Sequence, residues 1–428
     1  MGRLPAITAG LCTVILLAGC ADADPGVESD SDDGAASPSA SADTDQSSGS
    51  GSDSTSDAAS PSDSDSSAAS EDGEPFIVEE QGSYDSPWAL EFLPGTEQML
   101  ISTRTGELLL RSTEDSAEAA EAAEAPEISV EGLPEDIVVD GQGGLGDVVV
   151  APDFEESQRV YLSWVSSGEG GTGAVVGHAR LVASGSSAEL EDLTVIWEQR
   201  PKTSGSGHFS HRLAFSPDGE HLFVTSGDRQ QMSPAQDLAS GLGKVMRLTP
   251  EGEPADGNPF ADEGGVSAEI FTWGHRNPLG IDFAEDGELW ISEMGPEGGD
   301  ELNLLQAGEN YGWPEASNGS QYGGGEIPDH SEADDFAAPA ASWTPSISPG
   351  SLMIYQGELF SDWTGDAFLG ALSGQALLRV DLEGDSAGEE QVWDMGARIR
   401  DVEEAPDGSI WVVEDGDGAG LLRLTPPD

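Results

Sequence analysis

One phrase recurs along this chain, and it limits the fold more than any other feature. An apolar run ends in an Asp-Gly turn and a second apolar run follows at once. Ala214-Phe215-Ser216-Pro217-Asp218-Gly219 leads into Leu222-Phe223-Val224-Thr225, and Asp282-Phe283-Ala284-Glu285-Asp286-Gly287 into Leu289-Trp290-Ile291-Ser292. Val402 to Gly408, ending Ala405-Pro406-Asp407-Gly408, leads into Ile410-Trp411-Val412-Val413. Asp-Gly between alternating apolar runs marks a β-hairpin, because Gly accepts the positive φ that a tight turn demands. Looser copies fit the same frame at Leu90–Ser102, Val148–Trp164 and Leu352–Leu372. Six copies, each with room for four short strands, predict an all-β, six-bladed β-propeller. A tandem of β-sandwiches would leave the recurring Pro-Asp-Gly phrase without a reason. Residues 114–125, a run of Glu and Ala without a large apolar stripe, read as an acidic surface insertion.

The N-terminus reads differently. Arg3, an apolar run to Leu17 and the tetrad Leu17-Ala18-Gly19-Cys20 have the form of a lipoprotein export signal, residues 1–20, with Cys20 as the lipidated residue. The apolar run is shorter than the ~20 residues a membrane-spanning helix needs. Residues 21–74 hold fifteen acids and no Lys, Arg or aromatic residue, so they cannot bury enough apolar surface to offset their ordering entropy. They read as a disordered acidic tether to a domain at 75–428, which contains all ten Trp. The expected location is the extracytoplasmic face of a bacterial cell membrane, reached through the Cys20 lipid alone. The other cysteine, Cys12, lies inside the signal, so the domain has no disulfide. A formal charge of −66, from 82 acids against 16 Lys and Arg, argues against nucleic acid as a partner.

In so acidic a chain, the placement of each cation is informative. His208 precedes one repeat and Asp228 follows it; a carboxylate beside an imidazole fixes its tautomer and supports the imidazolium formed on taking a proton. A structural histidine at a sheet edge fits the same spacing. Arg276 and Asn277 lie between Trp273-Gly274-His275 and Pro278. Arg398 and Arg400 alternate in a strand-like run and share one face, which is costly unless an anion lies between them or surface carboxylates pair with them. Glu293-Met294-Gly295-Pro296-Glu297-Gly298-Gly299-Asp300-Glu301 combines acids with flexible backbone carbonyls, a donor set that suits Ca²⁺, although no EF-hand spacing is present.

Six phrases in order, from Gly141-Gln142-Gly143-Gly144-Leu145-Gly146-Asp147 to Arg398-Ile399-Arg400-Asp401-Val402, resemble the soluble pyrroloquinoline quinone (PQQ)-dependent aldose sugar dehydrogenases of the glucose/sorbosone dehydrogenase family. The others are His208 to Asp228, Leu242-Gly243-Lys244-Val245-Met246-Arg247-Leu248, Gly274 to Pro278 and Gly299 to Pro314. The resemblance spans residues 76–426. It implies PQQ and Ca²⁺ as cofactors and oxidation of aldose sugars at the anomeric carbon to lactones. It implies His208 as general base, Asp228 as its orienting partner and Arg276 at the quinone. Gln142, Asn277, Tyr322, Arg398 and Arg400 would contact PQQ, with Ala371, Leu372 and Ser373 standing where glucose-oxidising members place a Lys. The carbonyls of Gly295 and Pro296 would hold one Ca²⁺, and Glu301 with the Tyr311 carbonyl another. An external electron acceptor is implied, since no Cys-x-x-Cys-His haem motif occurs. A non-catalytic surface-tethered binding propeller and a metal-dependent lactone hydrolase are the alternative readings.

Overall fold

The computed structural model describes residues 75–113, 127–332 and 335–427. The expectations for the signal at 1–20 with Cys20, the tether at 21–74 and the stretch 114–125 lie outside the described residues. Among the described residues no helix is long and apolar enough to cross a membrane.

The local rule read from the repeats operates as a turn mechanism. In Ser216-Pro217-Asp218-Gly219, Gly219 has φ +72°, while Asp218 Oδ1 accepts from the Glu220 amide at 3.0 Å. Gly287 (φ +89°) and Gly408 (φ +80°) stand at the same place, with Asp286 and Asp407 capping Glu288 and Ser409. The Asp closes the turn by bonding two residues on, and Gly takes the left-handed backbone that a side chain would resist. All six copies of the phrase fall on antiparallel pairs. The first strands are Pro87–Phe92, Leu145–Val150, Ser210–Phe215, Pro278–Phe283, Met353–Ile354 and Ile399–Glu404.

These pairs grow into four separate four-stranded sheets and one eight-stranded sheet. The eight-stranded sheet is two antiparallel halves meeting at a short parallel pair, Val130 opposite Ala188 and Glu131 opposite Glu189. The last sheet takes its outer strand from the start of the domain, Ile77–Tyr84, paired with Ala419–Thr425. Each first strand neighbours the first strand of the next unit, and Ile399–Glu404 returns to Pro87–Phe92, so the first strands close a ring. The architecture is all-β and propeller-like.

Apolar clusters sit between consecutive units. Phe223 of one sheet meets Phe271 edge-on at 5.1 Å and Phe283 of the next at 5.4 Å. Leu90, Met99 and Ile101 of the first unit pack on Trp411, Val413 and Leu421 of the last, which joins the two ends of the ring. Each such side chain, once fully buried, contributes roughly 1.5–3 kcal/mol.

Candidate active site

Five of the six first strands carry an irregularity near their beginning: between Pro87 and Ala89, Leu145 and Val148, Ser210 and Leu213, Pro278 and Gly280, and Ile399 and Asp401. A bulge re-aims the residue it displaces. The displaced residues include Trp88, His211, Arg212, Leu279 and Arg400. Of these, Trp88, His211, Leu279 and Arg400 line one cavity of about 340 Å³. Repetition of the same defect therefore gathers side chains from distant segments at one end of the ring. Gly146 belongs to this construction: a Cβ there would overlap the His211 ring.

The cavity is lined by polar donors on apolar walls, with Gln142, Asn277, Arg398, Arg400 and Leu372 among the residues singled out from sequence. That volume falls in the range of small-molecule sites. His208 stands beside it, next to the lining residue Phe209. The His208 amide donates to Gln142 Oε1 at 2.6 Å, and its Nδ1 lies 2.7 Å from Asp228 Oδ1. Both residues of the pair are buried. His208, Ser210 and His211 all have φ between +51° and +58°. Such backbone persists only where surrounding structure over-determines it, and it clusters at functional sites.

Asp228 accepts from four donors. Oδ1 takes His208 Nδ1 and the Gln230 amide (2.7 Å); Oδ2 takes the Met232 amide (3.2 Å) and Trp313 Nε1 (2.8 Å). Burial pushes its carboxyl up, but the His208 bond and charge, with the Trp313 and Gln230 bonds, outweigh burial and hold it below the usual carboxylate value. His211 takes no part in this pair: its Nδ1 meets Ser163 Oγ at 2.7 Å, its ring stacks on Trp88, and burial drives its pKa down to about 3.

Arg276 is fixed on three sides. Its amide donates to Glu293 Oε2, Nη1 to the Met294 carbonyl at 2.9 Å, and Nη2 reaches Tyr322 Oη at 3.3 Å. Its Nε is buried with no protein partner among the described residues. Tyr322, 71% exposed, lines a second cavity of about 630 Å³ with Pro296 and Ser373; Ser348 lies on both cavities. Of the run Ala371 to Ser373, Leu372 lines the first cavity and Ser373 the second, so Ala371 could meet a cofactor there through its backbone alone. Its methyl is fully buried in an apolar cluster with Leu352, Ile354 and Leu369 and lines neither cavity, because the strand Ala367–Ala371 turns it into the core.

The anion expected between Arg398 and Arg400 is a residue of the chain. Asp415 Oδ2 takes Arg398 Nε at 2.8 Å, and Oδ1 takes Arg400 Nε and Nη2 at 3.0 and 2.8 Å. The two guanidinium charges, with the Arg398 and Arg400 bonds, overcome burial and hold the Asp415 carboxyl low. Sequence reading missed this partner. It follows the facing strand Ile410–Glu414 directly, between the acids Glu414 and Asp417, so nothing in the sequence singles it out.

Glu301 and Tyr311 lie apart from the main cavity, on one of about 10 Å³, room for a single water-sized occupant, shared with Gly295, Glu293 and Trp313. Burial and the neighbouring Glu293 push the Glu301 carboxyl well above its ordinary value. Asn303 Oδ1, whose amide nitrogen bonds Glu301, is a buried acceptor without a partner among the described residues. A cation suits this oxygen-rich, charge-strained pocket. His330 approaches both members, with Nε2 3.1 Å from the Tyr311 carbonyl and Nδ1 3.7 Å from Glu301 Oε1. Among the described residues no three His, Cys, Asp or Glu side chains converge as a metal cluster, so a metal here would lean on backbone and amide oxygens.

These features define a class: a propeller-like all-β scaffold whose hub opens on a cationic small-molecule cavity beside a buried His–Asp pair. The chain belongs to the Glucose / Sorbosone dehydrogenase family, whose model matches residues 84–423. It is 39% identical over 353 residues, 81% of this chain and 91% of the relative, to aldose sugar dehydrogenase YliI of Escherichia coli K12. The crystal structure of the soluble aldose sugar dehydrogenase of Escherichia coli in its apo-form superposes with TM-score 0.74 at 38% identity, covering 82% of this chain and all of that one. The PQQ-bound form of aldose sugar dehydrogenase from Streptomyces coelicolor gives TM-score 0.67 at 26% identity, covering 82% and 98%.

Proposed function

We propose that this chain is a PQQ- and Ca²⁺-dependent dehydrogenase that oxidises aldose sugars at the anomeric carbon to lactones. The observation that carries the reading is the 340 Å³ cavity bordered by Gln142, Asn277, Arg398 and Arg400, with the His208–Asp228 pair at its edge. Its donors suit a flat polyanion: two guanidiniums with nitrogens beyond the Asp415 bonds and two amide side chains, set among apolar lining residues that include Leu279 and Leu372. The PQQ-bound relative supports the same assignment, and Arg276 stands one residue from the lining Asn277 while its own side chain lines the small 10 Å³ pocket.

PQQ bound there would supply a two-electron acceptor for hydride. The chain's own residues do the rest. His208 takes the proton of the sugar's anomeric hydroxyl as hydride leaves the same carbon, and Asp228 stabilises the imidazolium. Arg276, held by Met294 and Tyr322, would offer a fixed positive charge to a quinone bound beside it. An external acceptor would then have to take up the two electrons. Gly295 and Pro296 would offer carbonyls to a Ca²⁺ at the cofactor, and Glu301 and Tyr311 to a second ion in the small pocket. In this reading the six four-stranded units, counting the eight-stranded sheet as two, are six blades. Cys20 carries the lipid that anchors the enzyme outside the cytoplasmic membrane. The deciding experiment titrates the metal-free domain with PQQ, with and without Ca²⁺, then adds a panel of aldoses. A PQQ-dependent absorbance change and dye reduction by at least one aldose are expected; neither appearing would overturn the proposal.

A further inference from the structure

Trp313 reads from sequence as a packing residue in Asn310-Tyr311-Gly312-Trp313-Pro314. In the fold it reaches across 85 residues of chain to the proposed base. Its Nε1–H donates to Asp228 Oδ2 at 2.8 Å in a buried bond. Its ring lies 5.4 Å from the Arg276 guanidinium carbon, and the Arg276 carbonyl in turn accepts the Asp228 amide at 2.8 Å. Trp313 is itself locked. Its amide donates to the Gly274 carbonyl, its carbonyl accepts from Gln236 Nε2, and its ring packs with Ala235 and Ile327.

We infer that Trp313 is a positioning residue for proton removal. Its indole N–H sets how much negative charge Asp228 presents to His208, while its ring face steadies Arg276. The inference rests on the reading of His208 as proton acceptor. A carboxylate divides its charge among its donors, and a bond from N–H to an ionised oxygen is of the stronger kind. Losing the indole donor leaves Oδ2 with only the long Met232 bond, so more charge is available to an imidazolium on Oδ1. His208 then becomes more basic. Other charged groups border the pair. Arg229 adjoins Asp228 but lays its guanidinium over the Phe209 ring at 3.7 Å and bonds Thr172 and Gly205. Arg276 points to Met294 and Tyr322, and His211 to Ser163. None of them donates to the Asp228 carboxylate, so among the described residues no neighbour replaces the indole.

The test uses Trp313→Phe, which keeps the ring and removes the donor. Histidine NMR of the cofactor-free domain should show the His208 midpoint rising by roughly half to one pH unit, a threefold to tenfold gain in proton affinity. The acid limb of kcat/KM should move with it, with PQQ affinity by absorbance titration unchanged. Trp313→Leu should also weaken PQQ binding by about threefold to tenfold through loss of the face beside Arg276. A His208 midpoint and pH profile unchanged in Trp313→Phe would overturn the inference. A measurement on the unmutated domain covers the case in which these variants do not fold. One of the ten indole N–H signals should titrate with the His208 midpoint and cease to do so in His208→Gln; ten flat signals would refute the coupling. Full turnover by His208→Gln would instead sink the proton-acceptor reading itself.

Discussion

Replacing Asp228 by Asn tests the site at its centre. Both Asp228 oxygens are fully used as acceptors, two donors on each. Asn offers one acceptor oxygen and one NH₂ group, so one orientation sets N–H against N–H at two of the four partners and the other at one, with a change of imidazole tautomer besides. With the amide toward Oδ2's position, the Trp313 indole and Met232 amide are stranded; with it toward Oδ1's, the Gln230 amide is stranded and His208 is forced to change tautomer. Each buried donor left unpaired costs about 1–3 kcal/mol, so the fold should lose roughly 1–6 kcal/mol. At about 2.1 cal/mol/K of unfolding entropy per residue over a domain of this size, that is a fall of roughly 1–8 °C in Tm. Loss of the carboxylate behind a catalytic histidine lowers kcat by about 10⁴ in the serine-protease triad, and general-base catalysis as a whole is worth about 10²–10⁴. A drop of at least about 10² in kcat is therefore expected, measured by dye-linked sugar oxidation with saturating PQQ, Ca²⁺ and sugar. Because the Asp228 carboxyl is held low, its stabilising effect is present above the unfolded carboxylate value near 4 and is lost as pH falls through its folded value; the Asn variant should lack that acid dependence. A variant within about threefold of wild type in kcat would refute the assignment of Asp228.

The buried charges of the hub and of the small pocket carry three further expected outcomes. Burial raises Glu91 to about 8, Asp147 to about 6 and Asp282 to about 7 at the hub; a raised acid stabilises the fold fully below its unfolded value near 4, and that contribution is lost as pH rises through the folded one. Tm should therefore decline from pH 5 to pH 8, less steeply in Glu91→Gln; a flat profile by differential scanning calorimetry would contradict this. Arg212 is the cation of that hub, ion-paired to Asp147 at 3.2 Å and Asp401 at 2.9 Å and lying 4.1 Å from the Trp88 ring, so Arg212→Met should destabilise by about 3–5 kcal/mol in urea titration at pH 8 and by less at pH 5, where the stranded acids take up protons. Adding Ca²⁺ to the metal-free domain should raise Tm, and Glu301→Gln should shrink the rise because the buried Glu293–Glu301 repulsion that the ion relieves is gone; an equal Ca²⁺ response in the variant would remove Glu301 from the proposed ligands.

Much of the site was legible because the residues involved are rare in this chain. Cations are few among 82 acids, so Arg276, Arg398 and Arg400 stood out, and Gln142 and His208 lay in phrases shared with the family. The fold joins Gln142 to His208 through a backbone bond and Arg398 to Arg400 through Asp415. Asp415 and Trp313 were not legible. An acid in an acidic chain and a Trp among ten carry no local mark, and their partners lie 15 to 85 residues away.

The chain's local chemistry was enough to set the hairpins: Asp-Gly turns and alternating apolar runs act over a handful of residues, and they fix which segments pair and which faces are buried. Which end of each hairpin meets the others was decided only when the first strands closed into a ring and their bulges turned side chains toward one cavity. A turn is governed by the backbone of its own residues, whereas the position of a guanidinium beside a carboxylate depends on packing that joins residues from every part of the chain.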